Sequence, residues 1–143
     1  MKETLIFVVR KILKFKLIIY LFAFYASKFL TKFENNSDRN NQKERKNFLV
    51  LSHWRFTADI NNLKKYKGMN FYGFNSKLQV LINALWLNDF VKKYKKSFHK
   101  EFFNKKNKEL QLARIELGKF LQEFIKYLFR INNFKALITC NFY

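Results

Sequence analysis

The apolar positions of this chain follow two periods, and the changes between them divide it into elements. Residues 48–51 (Phe-Leu-Val-Leu) form a short apolar run of β type, closed by Ser52 and opening onto His53, Trp54, Arg55 and Asp59. Residues 58–67 fit a short helix with Ile60 and Leu63 inward, started by Thr57 or Asp59 as a cap. Gly68 fits its stop, because the residue after a helix often takes a positive φ. Residues 69–74 alternate loosely and are rich in aromatics, which predicts a second strand. From Leu78 to Phe98, spacings of three and four place Leu78, Leu81, Ile82, Leu85, Trp86 and Phe90 on one helical face. Residues 109–129 carry a broader stripe that includes Leu110, Leu117, Phe120, Phe124 and Leu128, with Gly118 inside it as a point of close approach to a neighbour. Asn132 and Asn133 end this helix, and residues 134–140 read as a third, buried strand. Strands alternating with helices imply parallel crossovers, so the expected fold is α/β: a three-layer sandwich with a short parallel sheet.

The first third of the chain follows neither period cleanly. Residues 4–33 are the most apolar part of the molecule, yet the longest uninterrupted run, 17–26, has ten residues, against about 20 for a helix that spans a bilayer. Arg10, Lys11, Lys14 and Lys16 interrupt its earlier half. A continuous basic, apolar helix lying in the membrane interface fits this pattern, its long cationic stems reaching the headgroups and Tyr20, Tyr25, Phe29 and Phe33 at matching depth. Two other readings stay open: a helix packed on the protein's own core or in an oligomer, and a signal or true span, although no Ala-x-Ala site follows the run. Residues 34–47 contain no apolar side chain and read as an exposed linker. The expected division is a membrane-interface helix over 1–33, a polar linker over 34–47 and an α/β domain over 48–143.

Charge widens the set of partners. The 143 residues hold 29 Lys and Arg against 10 Asp and Glu, a formal charge of +19, which suits phosphate-bearing partners, either anionic lipid or nucleic acid. Abundant Lys, Asn, Phe, Ile and Tyr, with three Gly and no Pro, also match A/T-rich codons, so part of the excess reflects composition. Lys92, Lys93, Lys95, Lys96 and Lys100 are interleaved with Tyr94, Phe98, Phe102 and Phe103. Such a run is most often a solvated face; it also suits RNA through phosphate contact and stacking, or anionic lipid. Arg10, Lys11 and Lys14 join Lys92, Lys93, Lys95 and Lys96 as the membrane- or anion-binding candidates.

Cysteine and glycine usage removes several chemistries. One cysteine, Cys140, excludes an intramolecular disulfide and a cysteine-based metal site, and its apolar surroundings suit a buried thiol. His53 and His99 have no carboxylate at ligand spacing, so no metal and no cofactor is expected. Glycine-built phosphate cradles, Asp-x-Asp and Gly-x-Ser-x-Gly are absent from the sequence.

The run 48–54, the long helix after Asn75 and Ser76, and Ala136-Leu-Ile-Thr-Cys-Asn-Phe-Tyr at the third strand resemble the amino-terminal half of a two-domain glycosyltransferase of the GT-B type, as used in bacterial surface-polysaccharide biosynthesis. The resemblance covers residues 47–143 in pattern, without a diagnostic motif. It implies a partial Rossmann-like, acceptor-side domain associated with the cytoplasmic face of the membrane. It also implies a fragment of a longer protein, inactive alone, in which nucleotide-sugar and glycan acceptor would require a missing carboxyl-terminal domain. His53 would then be the candidate base, since an imidazole with a pKa near 6.5 suits proton transfer from a hydroxyl. Asp59 would orient a neighbour, Arg55 would pair with an acceptor phosphate, and Asn75, Ser76 and Asn141 would line the same strand edge. A structural histidine at 53 and a helix cap at 59 are the competing roles. Outside enzymes, the alternative is a basic protein that binds anionic membrane or RNA.

Overall fold

The computed structural model describes residues 2–33, 45–50, 68–74 and 76–138. The expected single helix over 4–33 is instead two helices and a strand: α1 (Lys2–Ile12), α2 (Lys16–Ser27) and β1 (Leu30–Phe33). The break falls where Leu13 turns into the core at 5% exposure and Phe15 adopts extended backbone, φ −80° and ψ 126°. β1 runs antiparallel beside β3 (Met69–Phe74), with Leu30 opposite Phe74 and Phe33 opposite Phe71. β3 pairs in parallel with β2 (Lys46–Val50), which pairs in parallel with β4 (Phe134–Ile138). The order β1-β3-β2-β4 therefore retains the expected parallel strands and adds an antiparallel edge from the leader. The fold is α/β with a mixed, four-stranded sheet among the described residues.

Three α-helices and a 3-10 turn lie between β3 and β4. α3 (Ser76–Tyr94) ends four residues before the predicted stop, because Lys95 takes a left-handed φ of 37°. A single 3-10 turn and the short α4 (Phe98–Phe102) follow. α5 (Lys108–Asn132) begins at Asn107, whose side chain accepts a hydrogen bond from the Leu110 amide at 3.2 Å, and ends at Asn133 with φ 51°. Both are polar residues that tolerate those cap conformations.

The pleat gives the sheet two different faces. Leu49, Phe74 and Phe134 point to the helices and join Ile19, Ala23, Trp86, Phe120, Phe124 and Leu128 in one core. Buried positions on α5 fall at 110, 113, 117, 120, 124 and 128, the three-and-four spacing of a single stripe. Trp86 and Phe120 approach to 4.7 Å between ring centroids, and Phe120 and Phe124 stack at 5.4 Å. Val50 and Phe71 face the other way and are each 1% exposed, with Phe33, Phe48, Met69 and Ile138 packed around them. Phe33 therefore belongs to the sheet rather than to a membrane-facing helix. Gly118, expected to mark close approach, has nothing within 4 Å of where a Cβ would stand.

Asparagines link the layers at one end of the sheet. Asn132 donates to Ser27 Oγ at 2.9 Å and to the Leu128 carbonyl at 3.0 Å. Asn47 donates to the Asn132 carbonyl at 3.1 Å and accepts from Asn70 at 3.0 Å. One network thus joins α2, α5, β2 and β3, and satisfies polar groups that burial would otherwise leave costly.

Candidate membrane-docking surface

α2 has apolar residues all round, and its two sides have different fates. Ile19, Ala23 and Ala26 are buried. The small alanines let the α2 backbone approach α5 closely, and Phe22 fills the neighbouring space against Phe120 and Phe124 at 5.8 and 5.4 Å. On the other side Leu17 (68% exposed), Leu21, Phe24, Tyr25 and then Phe29 face outward. The spacing of four, three and one residues keeps Leu17, Leu21, Phe24 and Tyr25 on one stripe of the helix, and Phe29 follows in the turn just beyond its end. A helix apolar on every side is ordinarily enclosed, yet among the described residues nothing covers this outward stripe.

α1 extends the same character. Leu5, Phe7, Val8 and Ile12 are all more than 40% exposed, as is Phe15 at the break. An exposed aromatic side chain presents on the order of 100 Å², about half its area. The outward residues of 15–29 therefore amount to roughly 700 Å², at or above the ~300–600 Å² of the largest patch on an ordinary monomer. Cations edge it: Lys11 Nζ stands 4.5 Å from the Phe7 ring centroid, and Lys28 Nζ lies 5.4 Å from both the Phe24 and Tyr25 rings. Apolar stems along the patch with charged heads at its margin suit a lipid headgroup layer. Among the described residues no helix is long and apolar enough to cross a membrane.

The basic residues expected to bind anions fall into three situations. Arg10 Nη2 donates to Glu116 Oε2 on α5 at 2.8 Å, and Lys14 Nζ lies 3.6 Å from Glu116 Oε1. This pair ties the leader to the core, and the Arg10 hydrogen bond, with Coulombic help from Arg10 and Lys14, holds the Glu116 carboxyl below its usual range. Lys11 stays at the surface beside Phe7. Lys93 stands 3.9 Å from Glu109, both well exposed, while Lys92, Lys95 and Lys96 project into solvent.

The aromatics between those lysines are largely engaged inside the fold. Tyr94 Oη accepts a 2.7 Å bond from Asn107, and Arg114 lies 4.5 Å over the Phe102 ring while donating to the Phe102 carbonyl at 3.1 Å. Phe98 packs against Phe102 at 5.7 Å. Phe103 keeps 58% exposure, but a stacking platform for successive bases needs several free faces.

Comparison with protein-family models, with curated proteins and with solved structures returns no match to this chain. Its own geometry therefore carries the functional argument.

His53, Arg55, Asp59, Asn75 and Asn141 lie outside the described residues, as do Cys140 and the helix expected over 58–67. Ser76 opens α3 just after β3. Val50, Phe74 and Ile138 end three parallel strands at a common sheet edge. No group of three or more metal-ligating side chains occurs among the described residues. The outward stripe was legible in part: Tyr25 and Phe29 stood out as interface residues, while Tyr20, expected beside them, packs edge-on against Tyr127 of α5 at 5.5 Å. Leu17, Leu21 and Phe24 did not stand out. Their signal was the strict small-residue spacing of Ala23 and Ala26 on the opposite side, which tells which face packs.

Proposed function

We propose that this protein docks on an anionic membrane surface, on the cytoplasmic face, as a peripheral or monotopic protein. The observation that carries the reading is the outward stripe of α2: large apolar and aromatic side chains edged by lysine, on a helix whose other side is cemented into the core. Hydrophobic insertion supplies the depth, and the excess positive charge supplies long-range attraction to acidic headgroups. Flotation with vesicles tests it. Binding to phosphatidylglycerol-containing vesicles, weaker binding to pure phosphatidylcholine and steep weakening with salt are expected. Equal partition to both lipids, or none to either, refutes it.

A second reading rests on sheet topology. β2 lies between β3 and β4, both parallel to it, so connections leave on either side of β2 at the shared carboxyl edge, which is the usual place for a ligand crevice in open α/β sheets. The burial of Val50 and Phe71 on the face opposite the helices supports a three-layer, Rossmann-like sandwich. On this reading the chain is the acceptor-side domain of a membrane-associated, glycosyltransferase-like protein, incomplete without a nucleotide-sugar domain. His53→Ala in the protein carrying such a domain should then abolish sugar transfer while leaving vesicle binding unchanged. Retained transfer removes the base role.

A further inference from the structure

A cleft of about 370 Å³ opens beside the junction of α1 and α2, between them and the helices α3 and α5. Its floor is apolar: Ile19 and Phe120 are each 3% exposed and Trp86 4%, and the half-open Ile115 forms one wall. Its rim carries four cations, Arg10, Lys14, Lys16 and Lys119, against two carboxylates, Glu116 and Glu123. Glu116 is already matched by Arg10 and Lys14, whereas Glu123 Oε2 is buried without a hydrogen-bond partner among the described residues, with Lys126 Nζ 3.9 Å away. Lys16 and Lys119 are exposed and have no acidic partner among the described residues. The cleft therefore combines a water-excluding floor with two cations available at its mouth.

The geometry points to a single-lipid site: one anionic phospholipid, its phosphate on Lys16 and Lys119 and the first part of one acyl chain over Ile19, Trp86 and Phe120. Two observations favour a lipid over a soluble anion. The floor is built of large apolar side chains, against which a bare phosphate gains nothing. The cleft also opens at Lys16, next to Leu17, the first residue of the outward stripe, so a lipid drawn from the surface layer has only a short path to it. At roughly 30 Å³ per small group, the volume admits about a dozen heavy atoms, a headgroup phosphate and a chain segment rather than a whole lipid. Most small-ligand pockets share this size and this mostly apolar lining with a few polar groups.

This inference deepens the membrane-docking reading, and its test uses lipid below the micellar concentration so that no bilayer is involved. Dioctanoyl phosphatidylglycerol is titrated into the Trp54→Phe protein, with Trp86 on the cleft floor as the fluorescent reporter. One saturable site is expected, with at least tenfold weaker binding in Lys119→Glu and in Ile115→Asp, both at exposed positions. Dioctanoyl phosphatidylcholine should bind at least tenfold more weakly, and inorganic phosphate and octanoate should not compete at equal concentration. Absence of a saturable change overturns the site. Equal binding of the zwitterionic lipid overturns the role of the cations, and equal competition by phosphate or octanoate overturns the phospholipid assignment. A Phe24→Gln, Phe29→Gln protein that floats much more weakly with vesicles but still binds the monomeric lipid as the native protein does separates the cleft from the docking surface.

Discussion

Removing two aromatic rings from the outward stripe should weaken membrane binding without touching the fold. Phe24 is 44% and Phe29 60% exposed, so together they offer on the order of 200 Å² of apolar surface. A helix lying in the interface immerses only its lower side. If about half of that area leaves water, ~25 cal/mol per Å² gives about 2.5 kcal/mol, a factor near seventy in partition. Phe24→Gln with Phe29→Gln should therefore bind phosphatidylglycerol vesicles about seventyfold less tightly, measured by flotation against lipid concentration. The loss should persist at high salt, because it is hydrophobic, whereas the lysine contribution is screened beyond about 8 Å at physiological ionic strength. Thermal unfolding should move little, since both rings already face solvent. Val80→Gln, at a position 66% exposed on α3, serves as the control and should bind like the native protein. Partition of the double variant within twofold of native, or an equal loss in the Val80 variant, would refute the reasoning.

Three further outcomes follow from the packing. Gly118→Ala should stabilise the protein by about 0.5–1 kcal/mol in denaturant unfolding, because the helix interior gains propensity and the new Cβ meets nothing. Asn132→Ala should cost about 1–3 kcal/mol, since Ser27 loses its donor across the α2–α5 contact. The Arg10–Glu116 pair sets a pH dependence: a carboxyl held below its ordinary value near 4.5 contributes stability that is present above that value and lost as pH falls through the lowered one. Arg10→Gln should accordingly flatten the acid limb of the stability–pH curve, and an unchanged limb would show the pair to be inert.

The elements with strong periodicity were legible in the sequence. Strand β3 has the expected bounds, and α5 differs from the expected helix by one residue at its start and three at its end, because its stripe of apolar residues and its asparagine caps agree. The leader was read as one helix for a physical reason: residues 13–15 contain neither glycine nor proline, and the break is imposed by burying Leu13 rather than by a local breaker. β1 was hidden for a related reason. Four residues, Leu30–Phe33, show too little alternation to be told from the tail of an apolar helix, and their pairing with β3 is a long-range choice. Gly118 misled because a glycine inside a helix signals close packing only when a neighbour is there. In the candidate site, lysines could be counted from the sequence, but not their partners; only the fold commits Arg10 to Glu116 and leaves Lys16 and Lys119 at a cleft.

The central claim, that one face of the leader meets the membrane, is tested most directly by depth. An environment-sensitive fluorophore is attached at Phe24→Cys, or at Gln122→Cys on the solvent side of α5, with Cys140→Ser in both. With phosphatidylglycerol vesicles containing bromine-labelled acyl chains, the label at 24 should shift to the blue and be quenched while the label at 122 stays in water. Quenching at both positions, at neither, or at 122 alone would contradict the account.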